Sequence, residues 1–432
     1  MSESKKKVLI ITYYWPPSGG AGVQRCLKFV KYLPSFGIEP HVYTVENGEY
    51  PSIDHSLEKD IPREAVVIKQ PIWEPYPLFK LISGKKKDDK VQAGFISEDG
   101  KDSFVKKLSV WIRGNFLIPD PRRFWIKPSV KFLKKYIKEN DIDVVFSSGP
   151  PHSMHMIALA LKKQFPDLKW IADFRDPWTD IDFYKDLMLS KWADKKHHRM
   201  EKEVLQTADE VITVGPALQQ DLEKIRGSKV QLITNGYDEA DYPVYEGELA
   251  KEFTLSHVGS LNKDRNHPAL WKVIGGLVNS NPQFKNHLKL QFVGPVDASL
   301  KASLEENNLL PYATFIPPVS HSSVREYQQR SRVLMLFINR SPNAKGLLTG
   351  KMFEYLAAKR PIIAIGPVDG DVATIFRESN LDDLIDFDDQ EGMKEFVLNQ
   401  FEMYIQGKGH IGSENLKRFS RKALTKELVN FL

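Results

Sequence analysis

Short apolar runs alternate along the chain with longer segments whose apolar residues recur every three or four positions. The short runs are typical of buried strands and the longer segments of amphipathic helices, so their alternation predicts βαβ units and parallel sheets. We predict strands at residues 8–12, 39–45, 65–69, 144–147, 169–174, 210–214 and 229–233, and again at 254–258, 289–293, 313–316, 333–337 and 361–365.

A polar, turn-rich segment at 235–252 separates two strand-rich halves, each of which restarts with a strand. We therefore predict an α/β protein with two Rossmann-like domains facing each other across a cleft. The N-terminal domain would span residues 1–238, the linker 239–252 and the C-terminal domain 253–411. Residues 72–104 break the pattern and predict a surface insertion. Residues 412–432 carry an amphipathic stripe and predict a terminal helix that packs on the N-terminal domain; its apolar positions are Leu416, Phe419, Leu424, Leu428 and Leu432.

The composition fits this picture, because 432 residues with 41% hydrophobic and 27% charged side chains are typical of a globular two-domain protein. Cys26 is the single cysteine, which excludes an intramolecular disulfide and favours a reducing, cytoplasmic location. The apolar run at 8–11 is short and lacks a cleavage site, so a strand explains it better than a signal peptide. No run of about 18 apolar residues predicts a membrane-spanning helix.

The charge is unevenly distributed. Residues 1–200 contain 34 Lys+Arg and 25 Asp+Glu, a balance of +9, whereas the remainder contains 61 − 34 = 27 and 56 − 25 = 31, a balance of −4. A basic N-terminal half suggests an anionic surface or acceptor on that side, although a merely solvated lysine-rich face is an equally good explanation. The basic, aromatic segment 104–123 suits a peripheral contact with the inner face of a membrane or a lipid-linked acceptor, or a packing helix.

The loop after the first predicted strand contains Gly20 and Gly22. Glycines at this place let backbone N–H groups approach phosphate oxygens at the start of the next helix. Arg25 occupies the third glycine position of a dinucleotide fingerprint, so an NAD enzyme is disfavoured. The alternative is a tight turn that needs positive φ.

Two further predicted strands end in polar side chains, at the sheet edge where ligands of parallel sheets bind. His152 follows the strand at 144–147, and His155 lies one helical turn later; a structural role is equally plausible for this pair, and they are poor evidence for zinc. Asp173 and Arg175 follow the next strand. We interpret Asp173 as a sugar or acceptor contact, whereas Arg175 could pair internally with an aspartate.

The second half offers a diphosphate site. Gly259 ends the strand at 254–258 and permits close backbone approach, and Arg265 follows in the same loop. Segment 345–366 reads as a loop, a helix and a buried strand, with Thr349 as the expected N-cap and Lys351 in the first turn. A Walker A motif is excluded, because three residues separate Gly346 from Gly350. Glu354 could accept two ribose hydroxyls; the alternative is an exposed salt bridge with Lys351.

These segments, in this order, resemble the retaining glycosyltransferases of GT-B fold in family 4 (glycosyl transferases group 1). The resemblance covers nearly the whole chain, and its most specific part is KMFEYLAAKRPIIAIG at 351–366. It implies that Arg265 and Lys351 hold the donor diphosphate and that Glu354 binds the nucleotide ribose. It also implies that His152 contacts the donor sugar near the reaction centre and that Gly20 and Gly22 touch the phosphates.

One position departs from the family. Many members have a first glutamate, which contacts the donor sugar, where this chain has Gly346. The backbone amides of Gly346, Leu347 and Leu348 could replace that carboxylate.

The resemblance implies transfer of a sugar from a UDP- or GDP-sugar to a glycan or lipid-linked acceptor, as in polysaccharide biosynthesis, with retained configuration. His152, Arg265 and Lys351 would be the catalytic residues. No metal or other cofactor is expected, because the positive groups would stabilise the departing diphosphate, and no nucleic-acid partner is expected. Two rival functions stay open: a nucleotide-sugar 2-epimerase of the same fold and a non-catalytic nucleotide-sugar-binding subunit.

Overall fold

The computed structural model describes residues 5–50, 52–75, 104–243, 245–408 and 415–432. The chain forms two compact units. Unit 1 comprises Met1–Thr234 together with Lys422–Leu432, and unit 2 comprises Asn235–Arg421. Most of the predicted insertion at 72–104 and the start of the predicted terminal segment at 412–414 lie outside the described residues. No helix within the described ranges is both long and apolar enough to cross a bilayer.

Unit 1 is built on a seven-stranded sheet in the order β3-β2-β1-β4-β5-β6-β7, and all its strand pairs are parallel. The inner strands are buried along most of their length because helices cover both faces, which is why they read as continuous apolar runs. The strands are β1 (Lys6–Ile11), β2 (Ile38–Val45), β3 (Val66–Gln70), β4 (Val144–Gly149), β5 (Lys169–Phe174), β6 (Glu210–Thr213) and β7 (Gln231–Leu232).

The helices of unit 1 connect these parallel strands. Helix α3 keeps Pro128 inside it, in its second turn. The helices are α1 (Ala21–Tyr32), α2 (Phe104–Phe116), α3 (Arg123–Asn140), α4 (Ser153–Lys162), α5 (Lys191–Thr207) and α6 (Pro216–Arg226). Short 3₁₀ segments occur at Leu33–Phe36, His55–Asp60 and Asp182–Leu187.

Unit 2 contains a five-stranded parallel sheet in the order β10-β9-β8-β11-β12. Its strands are β8 (Phe253–Val258), β9 (Leu288–Val293), β10 (Ala313–Ile316), β11 (Val333–Phe337) and β12 (Ile362–Ile365). Its helices are α7 (Pro268–Ser280), α8 (Pro282–His287), α9 (Ala298–Glu306), α10 (His321–Arg330), α11 (Gly350–Ala358), α12 (Asp371–Glu378) and α13 (Gln390–Ile405). Short 3₁₀ segments lie at Glu239–Asp241, Lys263–Arg265, Leu310–Tyr312, Ala344–Gly346 and Asn415–Phe419.

In each sheet the strand order reverses beside the first strand. β1 pairs with both β2 and β4 in unit 1, and β8 pairs with both β9 and β11 in unit 2. Ligands of open α/β sheets bind at such switch points, beyond the carboxyl ends of the strands. The loops after β1, β4, β8 and β11 are therefore where a site is expected.

The end of the chain returns to unit 1, as predicted. Leu416 and Phe419 still pack in unit 2, and the chain crosses to unit 1 between Arg421 and Lys422, later than the predicted boundary at 411. The last helix, α14 (Arg421–Val429), places Leu424 and Leu428 in the core that contains Val8 of β1. Two parallel Rossmann-like sheets with this returning helix confirm the predicted fold class.

Candidate functional site

The loop that follows β8 is shaped by glycine. Gly259 has φ of 116°, a conformation that disfavours residues with a Cβ. A Cβ added there would lie 2.3 Å from Cε of Lys351. Gly294, after the neighbouring strand β9, has φ of 111°, and its Cβ would lie 3.1 Å from the carbonyl carbon of Gly259. The chain therefore needs glycine at position 259 to let the Lys351 side chain cross this loop.

Lys351 extends from the first turn of α11 to the end of β8. Its Nζ donates to the carbonyl oxygen of Ser260 at 3.0 Å and lies 3.0 Å from Nε2 of His257. His257 Nδ1 lies 3.0 Å from the carbonyl oxygen of Met335, which can only accept, so Nδ1 carries the proton and Nε2 accepts from Lys351. Burial, with Lys351 nearby, holds the pKa of His257 well below its usual value. His257 is thus a neutral acceptor that orients Lys351.

Lys351 has an unusual acidity for a lysine. Burial, together with the positive charge of Arg265 and against the opposing effect of Glu354, lowers the pKa of Lys351 to about 7. Burial also lowers the pKa of Arg265. Two cationic side chains held together with partial loss of hydration form a site whose electrostatics favour an anion.

Arg265 is held beside Lys351. Its Nε donates to Oδ1 of Asn339, in the loop after β11, at 2.7 Å, and its Nη1 donates to the Ser260 carbonyl at 3.3 Å. Arg265 and Lys351 therefore share one carbonyl acceptor. The two predicted diphosphate ligands, which are far apart in sequence, are brought together at the switch point of unit 2.

Thr349 occupies the N-cap position of α11 with extended backbone angles, as the sequence predicts. The expectation that its side chain caps the helix is wrong: no cap hydrogen bond forms, and the buried Oγ1 has no partner within the described residues. Sequence pattern fixes the N-cap position, whereas the rotamer depends on tertiary packing. The Met352 N–H donates to the Thr349 carbonyl at 3.1 Å, so within the described residues the N–H groups of Gly350 and Lys351 are the ones left for an anionic ligand.

The proposed replacement of the missing glutamate by backbone amides needs correction. The Gly346 N–H donates to the Asn343 carbonyl at 3.1 Å, and the Leu347 N–H donates to the Ala344 carbonyl at 3.3 Å, within a 3₁₀ turn. These amides are already used by the local fold. Of the three amides, only that of Leu348 has no backbone partner within the described residues, so it alone could replace the glutamate.

Glu354 is oriented by a residue that sequence reasoning missed. Nε2 of Gln328 donates to Glu354 Oε2 at 3.2 Å, and the Tyr242 hydroxyl donates to Gln328 Oε1 at 2.8 Å. Gln328 is fully buried, at 0% exposure. Within the described residues no ion pair joins Glu354 to Lys351, so the alternative of an exposed salt bridge is wrong. A glutamine on a polar helix carried no local signal of this contact.

In unit 1, Arg175 connects two of the predicted loops. Its Nη1 donates to the Gly22 carbonyl at 2.5 Å, its Nε donates to the Gly149 carbonyl at 3.3 Å, and it also donates to the Pro150 carbonyl. Gly20 has φ of 88° at the N-cap of α1, as the tight-turn interpretation requires. Arg175 therefore contacts backbone carbonyl groups, and it fixes the loops after β1 and β4 relative to each other.

The interpretation of Asp173 as a sugar or acceptor contact is wrong. Its side chain has 0% exposure, and both carboxylate oxygens accept from Nε of Arg25, at 3.0 and 3.1 Å. The Ser148 hydroxyl also donates to it at 2.7 Å. A fully paired, buried carboxylate cannot receive a substrate hydroxyl. The arginine at the third glycine position is thus the internal partner of Asp173.

His152 immediately precedes α4 and is 8% exposed. Its ring stacks on Trp178 with centroids 4.3 Å apart, and its Nδ1 is buried without a partner in the described structure. Burial holds the pKa of His152 well below its usual value, with His155 and His197 adding to the effect. His152 is therefore neutral at pH 7. His155 is completely buried, and its ring stacks on Phe174. Its Nδ1 shares a hydrogen bond of 2.9 Å with Ser147 Oγ, so His155 is a core residue.

A cavity of about 260 Å³ lies beside His152 within unit 1. Its wall is mostly apolar and aromatic, with Arg113 and Asp176 among the polar members. A concave, largely apolar site with a few polar groups is typical of small-molecule binding. The other lining residues include Tyr14, Leu117, Pro151, Trp178, Ile181, Phe183 and Tyr184.

Comparison with known proteins agrees with this architecture. Residues 88–241 match the model of Glycosyltransferase Family 4. No curated protein matches. Sucrose-phosphate synthase from Thermosynechococcus elongatus superposes with a TM-score of 0.60 at 16% identity, covering 98% of both chains.

Two other solved structures are also similar. TarM from S. aureus, in complex with fondaparinux, alpha-GlcNAc-glycerol and UDP, gives a TM-score of 0.57 at 13% identity, with 99% of both chains covered. A protein described as a UDP-N-acetylglucosamine 2-epimerase from Listeria monocytogenes gives 0.54 at 10% identity, covering 99% of this chain and 95% of that one. At these identities the structural likeness establishes the fold.

Proposed function

We propose that this chain, a glycosyltransferase of the GT-B fold similar to family 4, transfers a sugar from a nucleoside-diphosphate donor with retention of configuration. The acceptor is a glycan or a lipid-linked saccharide, as in polysaccharide assembly. UDP- and GDP-sugars are the donors to be tested first.

The convergence of Arg265 and Lys351 on the Ser260 carbonyl carries this proposal. Both cations lie beyond the carboxyl end of β8, with Lys351 in the first turn of α11. A diphosphate is dianionic, and guanidinium and ammonium donors beside a free helix N-terminus are complementary to it. Glu354, oriented by Gln328, is placed one helical turn deeper, where it can accept ribose hydroxyls.

The proposed chemistry follows from these roles. The bond between the anomeric carbon and the diphosphate oxygen breaks, and the acceptor hydroxyl attacks the face from which the diphosphate leaves. The acceptor proton passes to the departing phosphate oxygen. Arg265, Lys351 and the α11 N-terminus stabilise the charge that develops on the diphosphate, so we propose that transfer needs no metal. Neutral His152 contacts the transferred sugar.

The epimerase alternative requires a carboxylate that can exchange a proton with the sugar. Asp173, the strand-end carboxylate of unit 1, is buried and paired with Arg25, so it cannot take that role. This observation removes one carboxylate that an epimerase could use, whereas Asp176 lines the cavity beside His152. A non-catalytic nucleotide-sugar-binding subunit would share the same donor site and is separated from an enzyme only by turnover.

The test is to incubate the purified protein with UDP- and GDP-sugars and to follow donor hydrolysis and transfer by NMR, which also reports the anomeric configuration of the product. We expect release of the nucleoside diphosphate and a product whose glycosidic bond has the same anomeric configuration, axial or equatorial, as the bond in the donor. Appearance of a 2-epimer would establish the epimerase function instead. Tight binding without turnover across a broad donor and acceptor panel would identify a binding subunit.

The donor site itself is tested by Lys351→Ala, for which we expect loss of donor binding with an unchanged circular dichroism spectrum. Lys345→Ala is the matched control, because Lys345 lies on the same loop but is exposed and pairs with Asp369. Donor affinity that is unchanged in Lys351→Ala, or equally reduced in Lys345→Ala, would remove the diphosphate assignment.

A further inference from the structure

Within the described residues, the exposed tryptophan and phenylalanine rings all belong to unit 1. All six exposed tryptophan and phenylalanine residues in the described chain lie between positions 73 and 192. Trp73 is 60% exposed and Trp192 is 62% exposed. Exposed rings gathered in this way mark an interaction surface rather than the usual scatter of single apolar residues. We call this set the aromatic patch: Trp73, Trp111, Phe116, Phe124, Phe183 and Trp192.

Four members of the patch are linked, either directly or through Arg123. The ring of Trp73 packs edge-on against Phe124, with centroids 4.8 Å apart. Arg123, beside Phe124, donates to the carbonyl oxygen of Phe116, and the Phe116 ring packs against Trp111 at 5.5 Å. α2 and the start of α3 thus present one aromatic surface with a guanidinium group inside it.

The Trp192 side of the patch is also basic. Lys196 Nζ lies 4.8 Å from the centroid of the Trp192 ring. Burial lowers the pKa of Lys196, and the positive charges of Arg123 and Arg199 lower it further, so these cations lie within electrostatic reach of one another. Trp192, with Lys196 over its ring, therefore adds a basic aromatic flank within electrostatic reach of Arg123.

A row of lysines continues from the patch along α3. At 100° per residue, the exposed lysines of this helix share a face with Phe124. They line a groove of about 580 Å³ between α3 and α4. Within it, Lys135 pairs with Glu139 at 3.5 Å. The α3 lysine row consists of Lys127, Lys131, Lys134, Lys135 and Lys138.

We propose that the aromatic patch and the α3 lysine row dock unit 1 on a lipid bilayer that contains anionic phospholipids. Tryptophan and phenylalanine rings partition into the headgroup region, and lysines around them contact the anionic headgroups. This charge complementarity selects an anionic membrane over an apolar protein partner. The role that we give to docking, which is to bring a lipid-linked acceptor to the site, rests on the proposed function. Phe183 connects the two regions, since it belongs to the patch and also lines the cavity beside His152. An acceptor anchored in the bilayer would reach that cavity along the patch.

The test is sedimentation of the full-length protein with vesicles of phosphatidylcholine, with or without phosphatidylglycerol. We expect binding that requires phosphatidylglycerol, weakens with added salt and shifts tryptophan fluorescence to shorter wavelength. Lys127→Glu, Lys131→Glu and Lys138→Glu together should weaken binding about a hundredfold. Trp73→Ala with Phe124→Ala should reduce the fluorescence shift and leave the part that comes from Trp111 and Trp192.

The matched control reverses three exposed lysines of unit 2, by Lys272→Glu, Lys285→Glu and Lys394→Glu, and it should bind vesicles like the wild type. Wild-type protein that does not bind phosphatidylglycerol vesicles at low salt overturns the proposal, and so does equal weakening in the control. Binding to random single-stranded DNA without vesicle binding would assign the face to nucleic acid and also overturn it. Vesicle binding that persists in a protein lacking transferase activity would refute the proposed function alone.

Discussion

Donor binding should depend on pH through Lys351. Its pKa in the unliganded protein is lowered to about 7, well below the usual 10.5 of a lysine. The charged form is the one that attracts a diphosphate, so donor affinity falls as the pH rises through 7. The perturbation is therefore simply the pH, varied between 6 and 8.

The size of the effect follows from the fraction of Lys351 that is protonated. With a pKa of about 7, roughly nine-tenths is charged at pH 6 and roughly one-tenth at pH 8. When only one form binds, the apparent Kd is the intrinsic Kd divided by the competent fraction. The Kd should thus rise about tenfold from pH 6 to pH 8, which corresponds to about 1.4 kcal/mol.

Isothermal titration calorimetry with a UDP- or GDP-sugar measures the Kd at each pH. The diphosphate of a nucleotide sugar keeps its two negative charges between pH 6 and pH 8, so the ligand itself does not cause the change in Kd. Buffers of different ionisation enthalpy should report proton uptake close to one at pH 8 and near zero at pH 6. Lys351→Met should bind weakly with a flat profile. A wild-type Kd that changes less than about twofold, or the same slope in Lys351→Met, would refute the reasoning, because the titrating group would then lie elsewhere.

Two further outcomes test the surroundings of the site. Gln328→Leu removes the donor that orients Glu354 and should raise the KM for the donor sugar about three- to tenfold with a smaller change in kcat, measured by steady-state kinetics; an unchanged KM would show that Glu354 needs no such support. Asp173→Asn leaves the Arg25 charge buried without its counter-ion and should lower the free energy of unfolding by roughly 3–5 kcal/mol in urea titrations, with donor affinity of the folded protein retained. A stable Asp173→Asn protein with impaired transfer would restore the acceptor role that its burial contradicts.

The sheet architecture was readable from the sequence because buried parallel strands appear as short apolar runs. The predicted strands at 169–174, 313–316 and 333–337 coincide with β5, β10 and β11. The prediction at 229–233 was too long, since only Gln231–Leu232 pairs with β6 at the sheet edge. An edge strand pairs with one neighbour only, so its ends are set by that pairing and are harder to predict from the local apolar pattern.

The site was predictable only in part. The resemblance to family 4 assigned Arg265 and Lys351 to one diphosphate site, and Gly259 was identified from its place at a strand end. The pairing of Asp173 with Arg25 was hidden, because 148 positions separate the two residues. Gln328 was missed for the same physical reason: its contact with Glu354 arises from packing between α10 and α11.

The return of the chain to unit 1 sets an order for folding during synthesis. Leu424 and Leu428 complete the core that begins with Val8, and the Lys6 ammonium donates to the Leu432 carbonyl at 2.8 Å. All of unit 2 is translated between these two groups of residues. N-terminal domains usually fold first as they leave the ribosome. Here every residue of unit 2 is translated before unit 1 is complete. Until residues 422–432 emerge, the core around Val8 lacks Leu424 and Leu428, and its apolar surface is uncovered.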